Sequence, residues 1–215
     1  MKPFNWRVPL GVVLVVLGVL AFLQSFNILN MRGEIWLLAF GLIFAAVGVS
    51  FIYALIADHN AWWAAIPGMT LLGLGVMMVL FSFPSISLGA LPPFIFLGSI
   101  AAAFWLIYYL KRSNFWWAII PAGVMTTIAI IVFIPEGSSL GGSVFFLGMA
   151  ATFALLGFVE INGRRMTWPW IPAGVLAVMG VLIGLTTSGW SAIVWAVLLI
   201  LAGAFLVARP YLMKK

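Results

Sequence analysis

The sequence predicts an all-α, polytopic membrane protein with eight transmembrane helices, arranged as four parallel helical-hairpin repeats. Three observations support this fold class. Of the 215 residues, 66% are hydrophobic and 7% are charged, whereas a soluble domain has about 25% charged residues. The apolar residues form runs of about 17 to 22, the length at which a helix crosses a bilayer. A phrase rich in tryptophan and proline also recurs along the chain.

The first apolar run, Val8–Leu23, argues against the two main alternatives. It carries no polar side chain, whereas strands of membrane β-barrels alternate apolar and polar residues. Lys2 and Arg7 precede it, as basic residues precede a signal peptide. The run is long for the apolar region of such a peptide, however, and no clear small-x-small cleavage site follows. We therefore expect it to stay in the protein as an anchor.

The predicted spans follow one another without long connections. The segments between them are about ten residues or shorter, too short to hold a soluble domain. The whole chain, 1–215, is therefore expected to form a single transmembrane domain. The predicted spans are 8–27, 35–56, 63–83, 93–110, 116–134, 143–160, 169–186 and 190–208.

A sequence motif with tryptophan followed by proline lies at the start of every second predicted span. It divides the chain into helical hairpins. Indole rings favour the membrane interface, and proline suits the first turn of a helix. The hairpin repeats are expected at about 1–58, 59–112, 113–165 and 166–215. The predicted interfacial anchors are Trp6, Trp62, Trp63, Trp116, Trp117, Trp168 and Trp170, and the predicted helix-start prolines are Pro9, Pro67, Pro121 and Pro172.

The length of one span places the start of its helix before the proline. From Pro121 to Ile134 an α-helix would measure only about 21 Å, short of a bilayer core of about 30 Å. Starting near Trp116 lengthens it to about 28 Å. We therefore expect these helices to begin at the tryptophans and to bend or loosen at the proline.

The positions of the basic residues predict the orientation. With a cytoplasmic N-terminus, Arg32 alone would lie outside. The residues that would lie inside are Lys2, Arg7, Lys111, Arg112, Arg164, Arg165, Arg209, Lys214 and Lys215. This distribution satisfies the positive-inside rule. The expected location is the cell (inner) membrane, multi-pass, with cytoplasmic N- and C-termini.

The phrase resembles the Trp-Pro opening of helical hairpins in the LiaI/LiaF-like transmembrane region of bacterial envelope-stress proteins. The matching residues are Trp63, Pro67 and Gly68, then Trp117, Pro121 and Gly123, and then Trp168, Pro169 and Gly174. The resemblance covers about a dozen residues per hairpin, and Trp and Pro are adjacent only at Trp168 and Pro169. It implies a small bacterial membrane protein without catalysis.

Small residues are predicted to let the helices approach closely. The expected packing glycines are Gly41, Gly98, Gly148, Gly180 and Gly184. Gly180 and Gly184 form a GxxxG pair, which suits packing within the monomer and, as an alternative, a homodimer face.

Few side chains are suited to catalysis or to metal binding. Asp58 and His59 adjoin in an inner loop, too few for a closed metal site. Glu160 ends an apolar run, where an ionisable group suggests function, although Arg164 and Arg165 are near enough for an ordinary ion pair. The chain has no cysteine, and no ionisable residue lies at the centre of any predicted span.

These features favour a non-enzymatic integral membrane protein of the bacterial cytoplasmic membrane, with a structural, sensory or partner-binding role. The first alternative is a channel or facilitator for a small neutral solute, suggested by Ser and Thr residues within the spans. The second is a lipid-modifying membrane enzyme using Asp58, His59 or Glu160. We expect no cofactor, no metal and no nucleic acid; the expected partners are membrane lipids and a protein partner or second copy.

Overall fold

Long apolar segments without internal charge form the helices of this protein. The computed structural model describes residues 33–58, 61–110, 114–135, 140–161 and 164–186, with isolated positions at 18, 19, 22, 112, 138 and 200. The helices are α1 (Gly33–Ala57), α2 (Ala65–Phe81), α3 (Leu91–Leu110), α4 (Ile119–Ile131), α5 (Leu140–Phe158) and α6 (Trp170–Thr186). Each coincides with one predicted span.

The structure confirms that the described residues form apolar helices of a kind that can cross a membrane. It does not reach the finer prediction of eight spans. Four helices are long and apolar enough to cross a membrane: Gly33–Ala57, Trp62–Phe81, Leu91–Leu110 and Leu140–Phe158. Trp116–Ile131 and Trp170–Leu185 are shorter apolar helices. The predicted spans 8–27 and 190–208 lie almost wholly outside the described residues, as do Trp6 and Pro9. Eight spans and four repeats therefore stay predictions.

The helical turns do begin at the tryptophans, but the chain tightens into a 3-10 turn before the proline, whereas a bend or loosening at the proline was expected. Trp62–Ala64 and Trp116–Ala118 form 3-10 turns that lead into α2 and α4. In them the Ala64 N–H donates to the Ala61 carbonyl at 2.9 Å, and the Ala118 N–H to the Phe115 carbonyl at 3.0 Å. Pro67, Pro121 and Pro172 are each the third residue of an α-helix. Proline has no N–H for the carbonyl four residues earlier, so the preceding turn tightens instead.

The fifth predicted span ends earlier as an α-helix than expected. The α-helix stops at Ile131, ahead of Ile134, for which the following Pro135 disfavours the α conformation. Phe133 and Ile134 donate their N–H groups to the carbonyls of Ile130 and Ile131, at 3.1 and 2.8 Å. Such bonds across three residues satisfy the last carbonyls of the helix.

Helices that are consecutive in the sequence pack against each other. The main helix contacts in the described residues join α1 to α2, α2 to α3, α3 to α4, α4 to α5 and α5 to α6. Between α5 and α6 the chain folds back through a two-residue antiparallel pairing of β1 (Glu160–Ile161) with β2 (Arg164–Arg165), a local strand pair that the all-α prediction did not include.

The contact between α1 and α2 brings main chain against main chain. A Cβ on Gly48 would lie 2.5 Å from the Leu72 nitrogen and 2.8 Å from the Gly68 carbonyl oxygen. A Cβ on Gly75 would lie 2.5 Å from the Ala45 nitrogen. Contacts this short exclude any side chain, so glycine is required at both positions.

The contact between α4 and α5 is reciprocal. A Cβ on Gly123 of α4 would overlap Thr152 of α5, and a Cβ on Gly148 of α5 would overlap Thr127 of α4. Each threonine donates its hydroxyl to the glycine four residues before it, Thr127 to Gly123 and Thr152 to Gly148, both at 2.8 Å. Two Gly-xxx-Thr pairs therefore interlock, with each threonine filling the space above the opposite glycine.

The predicted packing glycines differ in what they contact. Gly41 faces Gly75 and Val79, Gly180 faces Leu147, and Gly184 faces Ser143. Gly98 differs from the prediction, since among the described residues a Cβ there would meet nothing within 4 Å. The next residue, Ser99, makes the close contact instead, against Gly73 of α2.

We predict that Gly48→Ala destabilises the protein and that Gly98→Ala does not. The new methyl at residue 48 must push α1 away from the main chain of α2, at a cost of about 1–3 kcal/mol. Alanine at residue 98 enters open space and favours the helix. Thermal unfolding in detergent measures both, and equal stability of the two variants would contradict the α1–α2 contact.

Candidate functional site

The end of the helices that carries the tryptophans contains a buried cluster. Leu55, Ala64, Ala65, Ile107 and Ala118 form it. Ala64 and Ala118, the last residues of the two 3-10 turns, are both fully buried. Their small size lets the turns approach, and the Trp62 ring lies 4.6 Å from that of Phe115. We call this part of the molecule the tryptophan end.

At the same end, three exposed tryptophans repeat one contact. Each packs edge to face against a phenylalanine of the preceding helix. The ring centroids are 6.1 Å apart for Trp63 and Phe51, 6.4 Å for Trp117 and Phe104, and 6.1 Å for Trp168 and Phe153; the interplanar angles are 76°, 75° and 74°. Such aromatic pairs contribute about 0.5–1.5 kcal/mol beyond the area they bury.

These phenylalanines belong to the candidate site and were not identified from the sequence. The sequence did contain a signal for these pairs. Each of the three tryptophans follows a helix that has a phenylalanine near its end, with one short loop between the two. Trp63 and Trp168 remain 53% and 45% exposed, which leaves one face of each indole open. The phenylalanines therefore hold the indoles in place at the helix ends.

The charged groups at the tryptophan end lie outside the helix contacts. Arg112 stands over the rings of Tyr108 and Tyr109, 6.0 and 5.2 Å from their centroids. Glu160 accepts a hydrogen bond from the Arg165 Nε at 2.9 Å, and both side chains are more than half exposed. The expectation of an ion pair is confirmed, with Arg165 as the partner because the chain folds back. An exposed pair of this kind contributes about 0–1 kcal/mol.

The remaining polar candidates do not form a site in the described residues. Asp58 is exposed, and its main chain links α1 to the first tryptophan turn, since the Ala61 N–H donates to its carbonyl at 2.9 Å. His59 lies outside the described residues. No group of three or more metal-ligating side chains occurs in the part of the chain that the structure describes.

Most hydroxyls within the helices already donate to main-chain carbonyls. Ser143 of α5 bonds across to the Gly180 carbonyl of α6 at 2.7 Å. The others bond within one helix or, for Ser82, to the end of the helix that it follows: Ser50, Ser82, Ser99, Thr126, Thr127 and Thr152. Bonds of this type satisfy polar groups in a medium without water.

Two apolar grooves lie between helices. The groove between α5 and α6, about 410 Å³, is lined by Ala150, Ala151 and Ala154 with Ala173, Gly174 and Ala177. The groove between α3 and α4, about 400 Å³, is lined largely by Gly98, Ala101, Ala102, Trp105, Thr126 and Ala129. Both are open depressions on the helix surface, formed because small side chains on facing helices leave space between them.

One side-chain hydrogen bond crosses the second groove. The Trp105 Nε1 donates to the Thr126 Oγ1 at 3.2 Å, and that hydroxyl donates to the Ala122 carbonyl at 2.7 Å. By contrast, the buried Nε1 of Trp36 has no acceptor, the one such buried side-chain group among the described residues. Its ring stacks on Phe40 with centroids 5.8 Å apart.

Comparison with known proteins finds no matching family model, no matching curated protein and no matching solved structure. The resemblance to the LiaI/LiaF-like region therefore stays a prediction from the sequence.

We predict that Trp105→Phe destabilises the protein more than Trp36→Phe. The two variants lose the same ring volume, but only the first loses a hydrogen bond between helices, worth about 0.6 kcal/mol on average in a membrane protein. The second removes a buried donor that has no acceptor, which lowers its cost. Unfolding free energies in detergent test the order, and a greater loss in Trp36→Phe would contradict the assigned bond.

Proposed function

We propose that this chain is a non-enzymatic, multi-pass protein of the bacterial cytoplasmic membrane with a structural, sensory or partner-binding role. The observation that carries the proposal is how its polar side chains are hydrogen-bonded and where they are located. The hydroxyls named above already donate to carbonyls. The charged side chains placed by the structure, such as Glu34, Asp58, Arg112, Glu160 and Arg165, lie at helix ends.

Enzymes and ion-coupled transporters need their polar side chains in arrangements different from the one described above. Transporters that move protons or ions place ionisable residues near the middle of the membrane. Hydrolases need a nucleophile beside a base, or a metal cluster. The described helices offer instead apolar surface, small-residue grooves and an exposed aromatic end. These features suit association with lipids and with other membrane helices.

The tryptophan end is the proposed contact surface for a partner. Three of its exposed indoles, those of Trp63, Trp117 and Trp168, share one geometry and each packs against a phenylalanine, so the surface is preorganised and loses little side-chain freedom on binding. Trp63 is exposed, whereas the adjacent Trp62 packs on Phe115. Neighbouring residues of the same 3-10 turn therefore provide a test position and a matched control.

A photo-crosslinking residue at position 63 should give a discrete adduct in native bacterial membranes, and the same residue at position 62 should not. Mass spectrometry of the adducts then distinguishes protein from lipid. Indistinguishable adduct patterns at the two positions would argue against a partner surface at this end.

Reconstitution tests the proposed absence of transport. Liposomes with the purified protein should take up glycerol no faster than protein-free liposomes in a stopped-flow experiment. Facilitated uptake that is lowered by Thr126→Val would overturn the proposal and favour a channel for a neutral solute.

A further inference from the structure

The groove between α3 and α4 has an apolar floor and a defined far end. Ala101 and Ala129, which line it, are buried. Gly98 leaves the groove open, since among the described residues a Cβ there would meet nothing within 4 Å. At the end away from the tryptophans, the ring of Phe94 lies 5.0 Å from that of Phe133. The groove therefore runs from this ring pair toward the tryptophan end.

The polar side chains that line this groove are already hydrogen-bonded. The Trp105 Nε1 donates to the Thr126 Oγ1, and that hydroxyl donates to the Ala122 carbonyl. A polar occupant at this depth would lose hydrogen bonds that it makes in water, whereas a hydrocarbon chain loses none. The groove is therefore suited to a hydrocarbon chain.

Aromatic rings connect the groove to a positive charge at the end of α3. The Trp105 ring lies 6.3 Å from that of Tyr108, and the Tyr108 ring lies 5.6 Å from that of Tyr109. The guanidinium of Arg112 stands over Tyr109, 5.2 Å from the ring centroid. Steps of three and four residues along a helix keep these side chains on one side of it. The rings therefore form a continuous path from the groove to Arg112.

Arg112 is placed to bind an anion. It is exposed, and it takes no part in the ion pair of the described residues, which joins Glu160 to Arg165. A guanidinium that stacks on a ring keeps the N–H donors at its edge, and these donors match the geometry of a phosphate. The groove between α5 and α6 differs in this respect, because Arg165, in the segment that connects those helices, already binds a carboxylate.

The length of this path matches one leaflet of a bilayer. Gly98 and Tyr109 are about 17 Å apart along α3, at 1.5 Å per residue, and half of a bilayer core measures about 15 Å. An acyl chain that starts beside Tyr109 would thus end near Gly98, one helical turn before Phe94. A further helix would instead have to pack across aromatic rings at both ends of the groove.

We propose that an anionic phospholipid from the leaflet at the tryptophan end binds here. Its phosphate contacts Arg112, and one acyl chain runs past Trp105 into the groove as far as Gly98. The site rests on the proposed function and adds a lipid class to its partner-binding role. Basic residues at the membrane surface attract anionic lipids, and the groove adds a place for the chain. A bound chain also explains why no described side chain covers Gly98.

Crosslinking to a photoreactive lipid tests the proposal. The purified full-length protein is reconstituted in phosphatidylcholine liposomes that contain phosphatidylglycerol with a diazirine near the end of one acyl chain. Mass spectrometry should locate adducts on α3 between Gly98 and Trp105. Arg112→Gln should lower this labelling about fivefold, the effect of one basic residue at an anionic membrane surface. Phosphatidylcholine with the same diazirine chain should label the wild-type protein as weakly as phosphatidylglycerol labels the Arg112→Gln variant.

The second arginine and the second groove supply matched controls. Arg165→Gln removes an arginine that is already paired and should leave labelling of α3 unchanged. Gly98→Leu fills the groove and should lower the labelling, whereas Gly174→Leu, in the groove between α5 and α6, should not. At both glycines a Cβ would meet nothing within 4 Å among the described residues. Thermal unfolding in detergent checks each variant, and Arg112→Gln, beyond the end of α3, keeps the test decisive if a leucine variant does not fold.

Three results would overturn the proposal. Equal labelling of α3 by the two lipids would show that the headgroup is not recognised. Unchanged labelling in Arg112→Gln would remove the phosphate contact. Labelling of α6 without labelling of α3 would show that a second copy or another segment of the chain covers the groove. The adduct at position 63, which tests the proposed function, does not depend on Arg112, so a failure of either proposal can be told from a failure of the other.

Discussion

Close approach of main chains at glycine and alanine is the interaction on which the described arrangement depends. A helix in lipid satisfies its own backbone hydrogen bonds, and lipid chains are as apolar as leucine. Association must therefore come from packing and from a few hydrogen bonds between helices. Gly48 and Gly75 supply the packing between α1 and α2, and the interlocked Gly-xxx-Thr pairs supply it between α4 and α5. Ser143 adds a hydrogen bond from α5 to the carbonyl of Gly180.

The tryptophan end follows from the same constraint. Short turns with fully buried alanines bring successive helices together there, and Pro67, Pro121 and Pro172 lie in the first turn of their α-helices, where a proline is tolerated. The phenylalanines then hold the exposed indoles in the same edge-to-face geometry. A repeated aromatic surface at one end of an apolar, tightly packed helix row is well suited to anchoring and association.

Hydropathy and span length were sufficient to predict the six described helices, their approximate bounds and the helical turns at the tryptophans that lead into α2 and α4. It could not predict helix rotation, because these helices are apolar on every side and small residues occur on several faces. Gly98 illustrates the limit, since its neighbour Ser99 makes the contact that was expected of Gly98. The pairing of Glu160 with Arg165 likewise depends on a fold-back between α5 and α6, which charge spacing does not specify. The Phe–Trp pairs join residues that are brought together only when consecutive helices pack.

The most direct test of the account is to determine from which side of the membrane a labelling reagent reaches each loop between helices. Single cysteines in this cysteine-free chain can be labelled with an impermeant maleimide in intact spheroplasts and in inverted vesicles. Cysteines at Asn114 and Arg165, at the tryptophan end, should react from the cytoplasmic side only, and cysteines at Ser85 and Ser138 from the outer side only. Labelling of Ser85→Cys and Arg165→Cys from the same side would contradict the account.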